Sequence, residues 1–218
     1  MPHDKEELLA SAKSLTGRAL GELAQETQFP LPTNAKNAKG WVGELMERCL
    51  GATAGNRSAP DFESLGIELK TLPLNARLEP KESTFVCYAA LAARATQTWE
   101  TSAVAAKLQN VLWVPVEADP ALDLTLRRVG KIFLWSPSTD DWRVLKSDWE
   151  EHMETIALGH IGEIDGRRGQ YLQLRPKAYS SKVRTTTFDQ IGNKIQSNPR
   201  GFYLRRSFTL KIFAEQHQ

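Results

Sequence analysis

Pro60-Asp61-Phe62-Glu63-Ser64-Leu65-Gly66-Ile67-Glu68-Leu69-Lys70-Thr71-Leu72 is where the hydrophobic pattern of the chain changes period. From Ile67 apolar and polar residues alternate, as in a β-strand, which sets Glu68 and Lys70 on one face and Ile67 and Leu69 on the other. Immediately upstream the period is helical: Val42, Leu45, Met46, Cys49 and Leu50 fall at i, i+3, i+4, i+7 and i+8. That pattern predicts a helix over 40–50, ended by Gly51 and followed by a small-residue loop over 51–59. Further upstream, residues 4–28 read as two short helices, with Leu8, Leu9, Ala12 and Leu15 on one face of the first. Thr16 is the expected N-cap of the second, which carries Leu20, Leu23 and Ala24, and a polar Pro/Asn stretch follows over 29–38. Downstream, strands are expected at 84–91, 111–117, 131–135, 170–175 and 201–206, with a helix over 99–109. The acids of 139–154 are expected on the outer face of a helix whose apolar side holds Trp142, Leu145 and Trp149, and are assigned no chemistry. Strands mixed with helices imply a layered α/β or α+β fold.

A chain of 218 residues is long enough for a substantial core, and 41% apolar with 25% charged residues is ordinary globular usage, which excludes disorder as the main state. No apolar run approaches the roughly 20 residues that a membrane helix needs. Acids precede any apolar run in Met1-Pro2-His3-Asp4-Lys5-Glu6-Glu7, unlike a secretory signal. The two cysteines, Cys49 and Cys87, lie in apolar-periodic segments and are expected to be buried thiols rather than a disulfide framework, which suits a reducing cytoplasm. Net charge is only +2, but residues 166–211 carry eleven Lys/Arg against one acid, Asp189, and so hold +10 locally while the rest of the chain holds −8. Such asymmetry suits a surface facing a polyanion.

Several chemistries are missing. There is no G-x-x-x-x-G-K-[ST] phosphate loop, no C-x-x-C, no H-E-x-x-H and no G-x-S-x-G elbow, and the four histidines (His3, His152, His160, His217) are scattered. What remains is the spacing Asp61, six residues, Glu68-Leu69-Lys70. Two converging carboxylates can hold a hard divalent cation such as Mg²⁺, with the Leu69 carbonyl completing the shell. Lys70 would then position or deprotonate an attacking water and offset phosphate charge, the combination that phosphodiester hydrolysis needs. A turn aspartate followed by an amphipathic strand with a surface Glu/Lys pair explains the same spacing, and the basic C-terminal third tips the balance toward a nuclease. Glu47 projects away from the apolar stripe of its helix, so it is free either to support the metal site or to stay solvated. Lys107 reads as a favourable charge near a helix C-terminus.

Several segments closely resemble the MutH family, the methyl-directed DNA mismatch-repair endonucleases of the type II restriction-endonuclease-like superfamily. They are Lys39-Gly40-Trp41-Val42-Gly43, Pro60-Asp61-Phe62, Leu65-Gly66-Ile67-Glu68-Leu69-Lys70-Thr71, Glu82-Ser83-Thr84-Phe85-Val86-Cys87 and Trp99-Glu100-Thr101-Ser102. Val111-Leu112-Trp113-Val114-Pro115-Val116-Glu117, Leu134-Trp135-Ser136-Pro137, Leu174-Arg175-Pro176-Lys177-Ala178 and Pro199-Arg200-Gly201-Phe202-Tyr203-Leu204 extend the likeness over nearly the whole chain.

The resemblance implies an α/β fold with a mixed central sheet flanked by helices, one domain (1–218) whose two lobes form a DNA cleft. It places a metal-binding catalytic core at about 36–135 and a basic DNA-reading part at about 160–211. It implies Mg²⁺-dependent nicking of the unmethylated strand at hemimethylated GATC sites by a cytoplasmic, monomeric bacterial enzyme, recruited by MutL after MutS finds a mismatch. By position, Asp61, Glu68 and the Leu69 carbonyl would be metal ligands, Lys70 the catalytic lysine, Glu47 an additional active-site acid and Lys107 a second, supporting lysine. Arg175 and Lys177 would belong to a base-reading loop, Arg being suited to guanine. Tyr203 would match the aromatic residue that senses adenine methylation, and Lys39 and Phe85 would lie at the DNA interface. Two other readings stay open at this point: a restriction enzyme of the same fold cutting both strands as a dimer, and a DNA-binding module without catalysis.

Overall fold

The structure, a computed structural model, describes residues 2–34, 38–52, 59–92, 97–177 and 182–216, with Lys39 described through its backbone alone. The side chain of Lys39, most of the 51–59 loop and His217 therefore lie outside the described residues. The chain divides into two compact units, Met1–Glu82 with Gln109–Ser136 and Leu210–Gln218, and Ser83–Leu108 with Pro137–Thr209. The division falls inside α6 (Arg206–Glu215).

The first unit begins with α1 (Lys5–Leu15), whose N-cap Asp4 accepts the Glu7 N–H at 2.8 Å and which buries Leu8, Ala12 and Leu15 at i, i+4 and i+7. Thr16 does not cap the next helix; it ends α1, donating its N–H to the Lys13 carbonyl at 3.2 Å. Gly17 then takes a left-handed turn and donates to Val129 at 2.7 Å, so α2 (Leu20–Glu26) starts three residues later than expected. Its N-cap Ala19 offers no side-chain acceptor, and Glu22 instead reaches back to the Ala19 N–H at 3.3 Å. In α3 (Ala38–Leu50) Trp41, Leu45, Met46 and Leu50 are buried, and the Trp41 indole donates to the Pro30 carbonyl at 2.7 Å. These helices pack on a three-stranded sheet of order β1-β3-β4, formed by β1 (Glu68–Leu74), β3 (Val111–Glu117) and β4 (Phe133–Trp135). β1 and β3 run parallel with Glu68 opposite Val111 and Lys70 opposite Trp113, while β3 and β4 are antiparallel. The central strand is buried from Val111 to Val116, and β1 is buried at both Glu68 and Leu69. β1 is thus closed on both faces at its start, as parallel strands are, not half-solvated as the alternation suggested.

The second unit holds an antiparallel sheet of order β2-β8-β5, from β2 (Thr84–Tyr88), β5 (Leu172–Pro176) and β8 (Arg200–Leu204). It also holds a ribbon of β6 (Thr185–Phe188) and β7 (Lys194–Ser197), a hairpin that periodicity did not reveal. The mixed α/β class is as expected, but the strands form separate small sheets rather than a single central one. Alternation assigns residues to strands without saying which strands pair, and here β1 and β2 join different sheets. α4 (Ala103–Leu108) is shorter than the expected 99–109 helix, because the Ser102 hydroxyl caps it by accepting the Ala105 N–H at 3.0 Å. The long α5 (Thr139–Ala157) corrects the expectation for the acids of 139–154. Asp141 and Asp148 are buried; only Asp140, Glu150, Glu151 and Glu154 face outward. Asp141 accepts the Ser138 hydroxyl at 2.8 Å in a helix-capping pair. Asp148 accepts the N–H groups of Gln170, Tyr171 and Leu172 at 2.8, 2.7 and 2.8 Å and so fixes where β5 begins. Among the described residues no helix is long and apolar enough to cross a membrane, and both cysteines are free thiols.

Candidate active site and nucleic-acid face

A tight reversal builds the acidic site. Phe62 and Ile67 exchange backbone hydrogen bonds at 2.9 and 3.3 Å around the single 3-10 turn Glu63–Leu65, and Gly66, at φ +62, closes it in a conformation that side-chain-bearing residues seldom adopt. The reversal lays Asp61 back along β1, where its carboxylate accepts the Leu69 N–H at 2.9 Å. Asp61 is 6% exposed and Glu68 1%. The Lys70 ammonium donates to the Glu68 carboxylate at 2.6 Å, which confirms that the two share a face of the strand.

Glu47 enters from α3, half-buried. Its carboxyl is pushed up to about 7, first by burial, then by the negative charges of Asp61 and Glu44, with Lys70 opposing and Glu68 adding to the rise. Glu47, Asp61, Glu68 and Lys70 therefore share one electrostatic neighbourhood, three acids around one lysine.

Mg²⁺ is the cation against which the chemistry of this donor set is judged most simply, since its ligands are oxygens. Among the described residues no three His, Cys, Asp or Glu side chains are already closed into a metal-binding group. Mg²⁺ does not require one: it keeps several waters and takes one or two carboxylates beside substrate phosphate. Asp61, Glu68 and the Leu69 carbonyl between Glu68 and Lys70 fit that demand.

Lys107, expected as a supporting lysine, lies buried on α4 in the second unit. Of the residues expected at the DNA interface, Phe85, Arg175, Lys177 and Tyr203 belong to the second unit and Lys39 to the first. Phe85 and Tyr203 are direct cross-strand partners on β2 and β8, their rings edge to face at 5.3 Å. The Arg175 guanidinium stands 5.5 Å from the Tyr203 ring and donates to the Ser83 hydroxyl at 3.1 Å. The Lys177 ammonium stands 4.8 Å from the Phe85 ring. Gly201 permits this crowding, since a Cβ there would lie 2.7 Å from the Phe85 ring and 3.2 Å from Lys177 Cβ.

Not all of the basic C-terminal charge is available to a ligand. Arg200 donates to the carbonyls of Ile161 and Ile164 at 3.0 Å each. Arg205 donates to Gly166, Arg168 and Gly169 at 2.9, 2.8 and 2.7 Å. These arginines tie loops to β8. Sequence reading missed their structural role, and it missed Tyr88, which joins the Phe85 ring edge to face at 5.4 Å.

Residues 50–148 match the family model described as DNA mismatch repair enzyme MutH, a span that includes Asp61, Glu68, Lys70, Phe85 and Lys107. The chain is 48% identical over 213 residues to the DNA mismatch repair protein MutH of Klebsiella pneumoniae strain 342, covering 98% of this chain and 92% of that one. It is 47% identical, again over 213 residues, to its namesake in Escherichia coli O6:K15:H31, covering 98% and 93%. Likeness at this level, end to end and through both clusters of residues, places the chain in the MutH family of DNA mismatch-repair enzymes.

Proposed function

We propose that the chain is a Mg²⁺-dependent endonuclease that nicks the unmethylated strand of duplex DNA at hemimethylated GATC sites during mismatch repair. The observation that carries this reading is the buried constellation of Asp61, Glu68 and Lys70 with Glu47 beside it. A strand that merely displayed a surface Glu/Lys pair would not bury a carboxylate to 1% exposure and hold it against an ammonium.

When bound, Mg²⁺ would supply charge for the phosphate and acidify a coordinated water. Asp61, Glu68 and the Leu69 carbonyl would hold it. The Leu69 N–H fixes the rotamer of Asp61, so its second oxygen is presented in a set direction. Lys70, held by Glu68, keeps a positive charge and hydrogen-bond donors where the attacking water and a phosphate oxygen must meet. Glu47 adds a third carboxyl that orients this group, and Lys107 is a supporting lysine. Arg175, Lys177, Tyr203 and Phe85 of the second unit contact the DNA, as does Lys39 of the first. A DNA cleft formed by two lobes is part of the same proposal. A monomeric cytoplasmic enzyme without an ATP-binding motif suits recruitment by MutL, with MutS upstream.

The test is a supercoiled plasmid carrying GATC sites, incubated with and without Mg²⁺ at low salt, with MutL added in a parallel series. Relaxed circles that require Mg²⁺ and disappear with Lys70→Ala and Glu68→Gln are the expected result. Linear product as the first species would point to double-strand cutting, and DNA binding with no cut under any condition would overturn catalysis.

A further inference from the structure

The second unit's sheet carries one more exposed aromatic ring than the DNA-facing set contains. Strand alternation places Phe85 and Cys87 on one face of β2, with Tyr88 on the other. The observed register is different: Phe85 pairs with Tyr203, and Cys87 pairs with Phe202, so three residues of β2 oppose two of β8. Val86 is the extra residue of a β-bulge, and the strand changes face across it. Cys87 consequently turns inward with Phe202, and both are buried. Tyr88 turns outward opposite Gly201, onto the face of Phe85 and Tyr203.

Two cross-strand rows result. One is Phe85, Tyr203 and Gln173; the other is Tyr88, Gly201 and Arg175. Because Gly201 has no side chain, Tyr88 and Arg175 flank a gap into which the Phe85 ring and the base of Lys177 lean. Tyr88 is 59% exposed, and its ring meets Phe85 edge to face at 5.4 Å. A large exposed aromatic beside two cations, on a strand bent to bring it there, is suited to a polyanion with stackable, hydrogen-bonding parts.

We infer that Tyr88 is a further DNA-contacting residue of this sheet face, its ring bracing Phe85 and its hydroxyl meeting the sugar-phosphate backbone beside the position that Arg175 contacts. The inference rests on the reading of this face as the DNA interface. Double-stranded DNA is the occupant that the cations and the family's mismatch-repair role favour.

The test is a charge series at an exposed position, read by fluorescence anisotropy with the full chain and a GATC-containing duplex over a range of salt. Tyr88→Ala should weaken binding about fivefold, the worth of one neutral contact. Tyr88→Glu should weaken it at least about twentyfold, while Tyr88→Lys should bind as well as the parent or better and steepen the log–log salt slope by about one. A residue that only packs would not rank by charge, and if the alanine variant fails to fold the Lys/Glu pair decides. Values within twofold for all three variants, while Lys177→Ala still weakens binding, would overturn this inference alone. Loss of effect in Lys177→Ala as well, or no DNA binding by the parent, would overturn the reading of the face on which it rests.

Discussion

Asp148 is one acid among six in a helix, yet it holds the start of the strand that carries Arg175. It is buried, and its two oxygens accept three successive N–H groups, Oδ1 from Gln170 and Oδ2 from Tyr171 and Leu172. Asp148→Ala strands these donors unequally. Gln170 is exposed, so water takes over its N–H; Tyr171 is half-buried; Leu172 is fully buried and finds nothing. With hydrogen bonds to a charged acceptor worth about 1.5–3 kcal/mol each, one full loss and one half loss come to about 2–4.5 kcal/mol. For a chain of this size that lowers the melting temperature by about 4–18 °C. Asp148→Asn separates charge from shape. Its one oxygen still serves Gln170, but its NH₂ then faces the Tyr171 and Leu172 donors, or the reverse if the amide flips. The flip that keeps the oxygen on Tyr171 and Leu172 leaves the NH₂ against the exposed Gln170 donor alone, so asparagine, as a neutral acceptor, should recover part of the loss and stay below the parent. The assay is thermal and urea unfolding followed by circular dichroism, with DNA affinity measured on the folded fraction. An alanine variant within about 1 kcal/mol of the parent, below the low end of one charged hydrogen bond, would refute the reasoning. So would an asparagine variant as stable as the parent.

Three other outcomes are expected. Gly201→Ala should fold but weaken DNA binding about five- to tenfold, because its Cβ would meet the Phe85 ring at 2.7 Å and force the aromatic face apart; the cost is that of about one lost contact and is read by anisotropy. Lys70→Ala should lower nicking at least about a hundredfold, the range for removing one charge-stabilising donor, with duplex affinity retained; equal loss of binding would argue against a role in the chemical step. His152 is fully buried, its Nε2 against the Leu172 carbonyl at 3.2 Å, and burial holds its pKa below the usual 6.5. Below 6.5 the unfolded chain takes up a proton that the folded chain refuses, so this contribution to stability is intact above that pH and lost as pH falls toward the folded value. Urea midpoints measured from pH 7.5 down to 5 should fall more steeply for the parent than for His152→Gln, and parallel curves would contradict this.

The part of the site that is local in the chain was legible from sequence. Asp61, Glu68 and Lys70 lie within ten residues, and one turn and one strand bring them together. To periodicity Glu47 was only a helix residue off the apolar stripe, and its place in the site came from the family resemblance. What raises its carboxyl is burial first and then the charge of Asp61, both consequences of how α3 packs, which periodicity does not encode. The same limit hid Tyr88, whose outward face depends on a one-residue bulge at Val86, and a one-residue slip reverses every side chain that follows. The β6–β7 hairpin escaped because Thr185-Thr186-Thr187 offers no apolar alternation, although Thr187 is buried and donates to the Leu91 carbonyl at 3.1 Å. Charge counting misjudged Arg200 and Arg205 for a similar reason: a guanidinium facing backbone carbonyls counts in the sum as fully as one facing DNA.

The central claim is that the constellation around Lys70 cuts one strand chosen by methylation. The most direct measurement uses a duplex with one hemimethylated GATC, its two strands labelled differently, with Mg²⁺ and MutL present and a Lys70→Ala control. The account predicts a single nick on the unmethylated strand, absent from the control. Cuts in both strands, cleavage indifferent to the methyl group, or undiminished activity in the Lys70→Ala protein would contradict it.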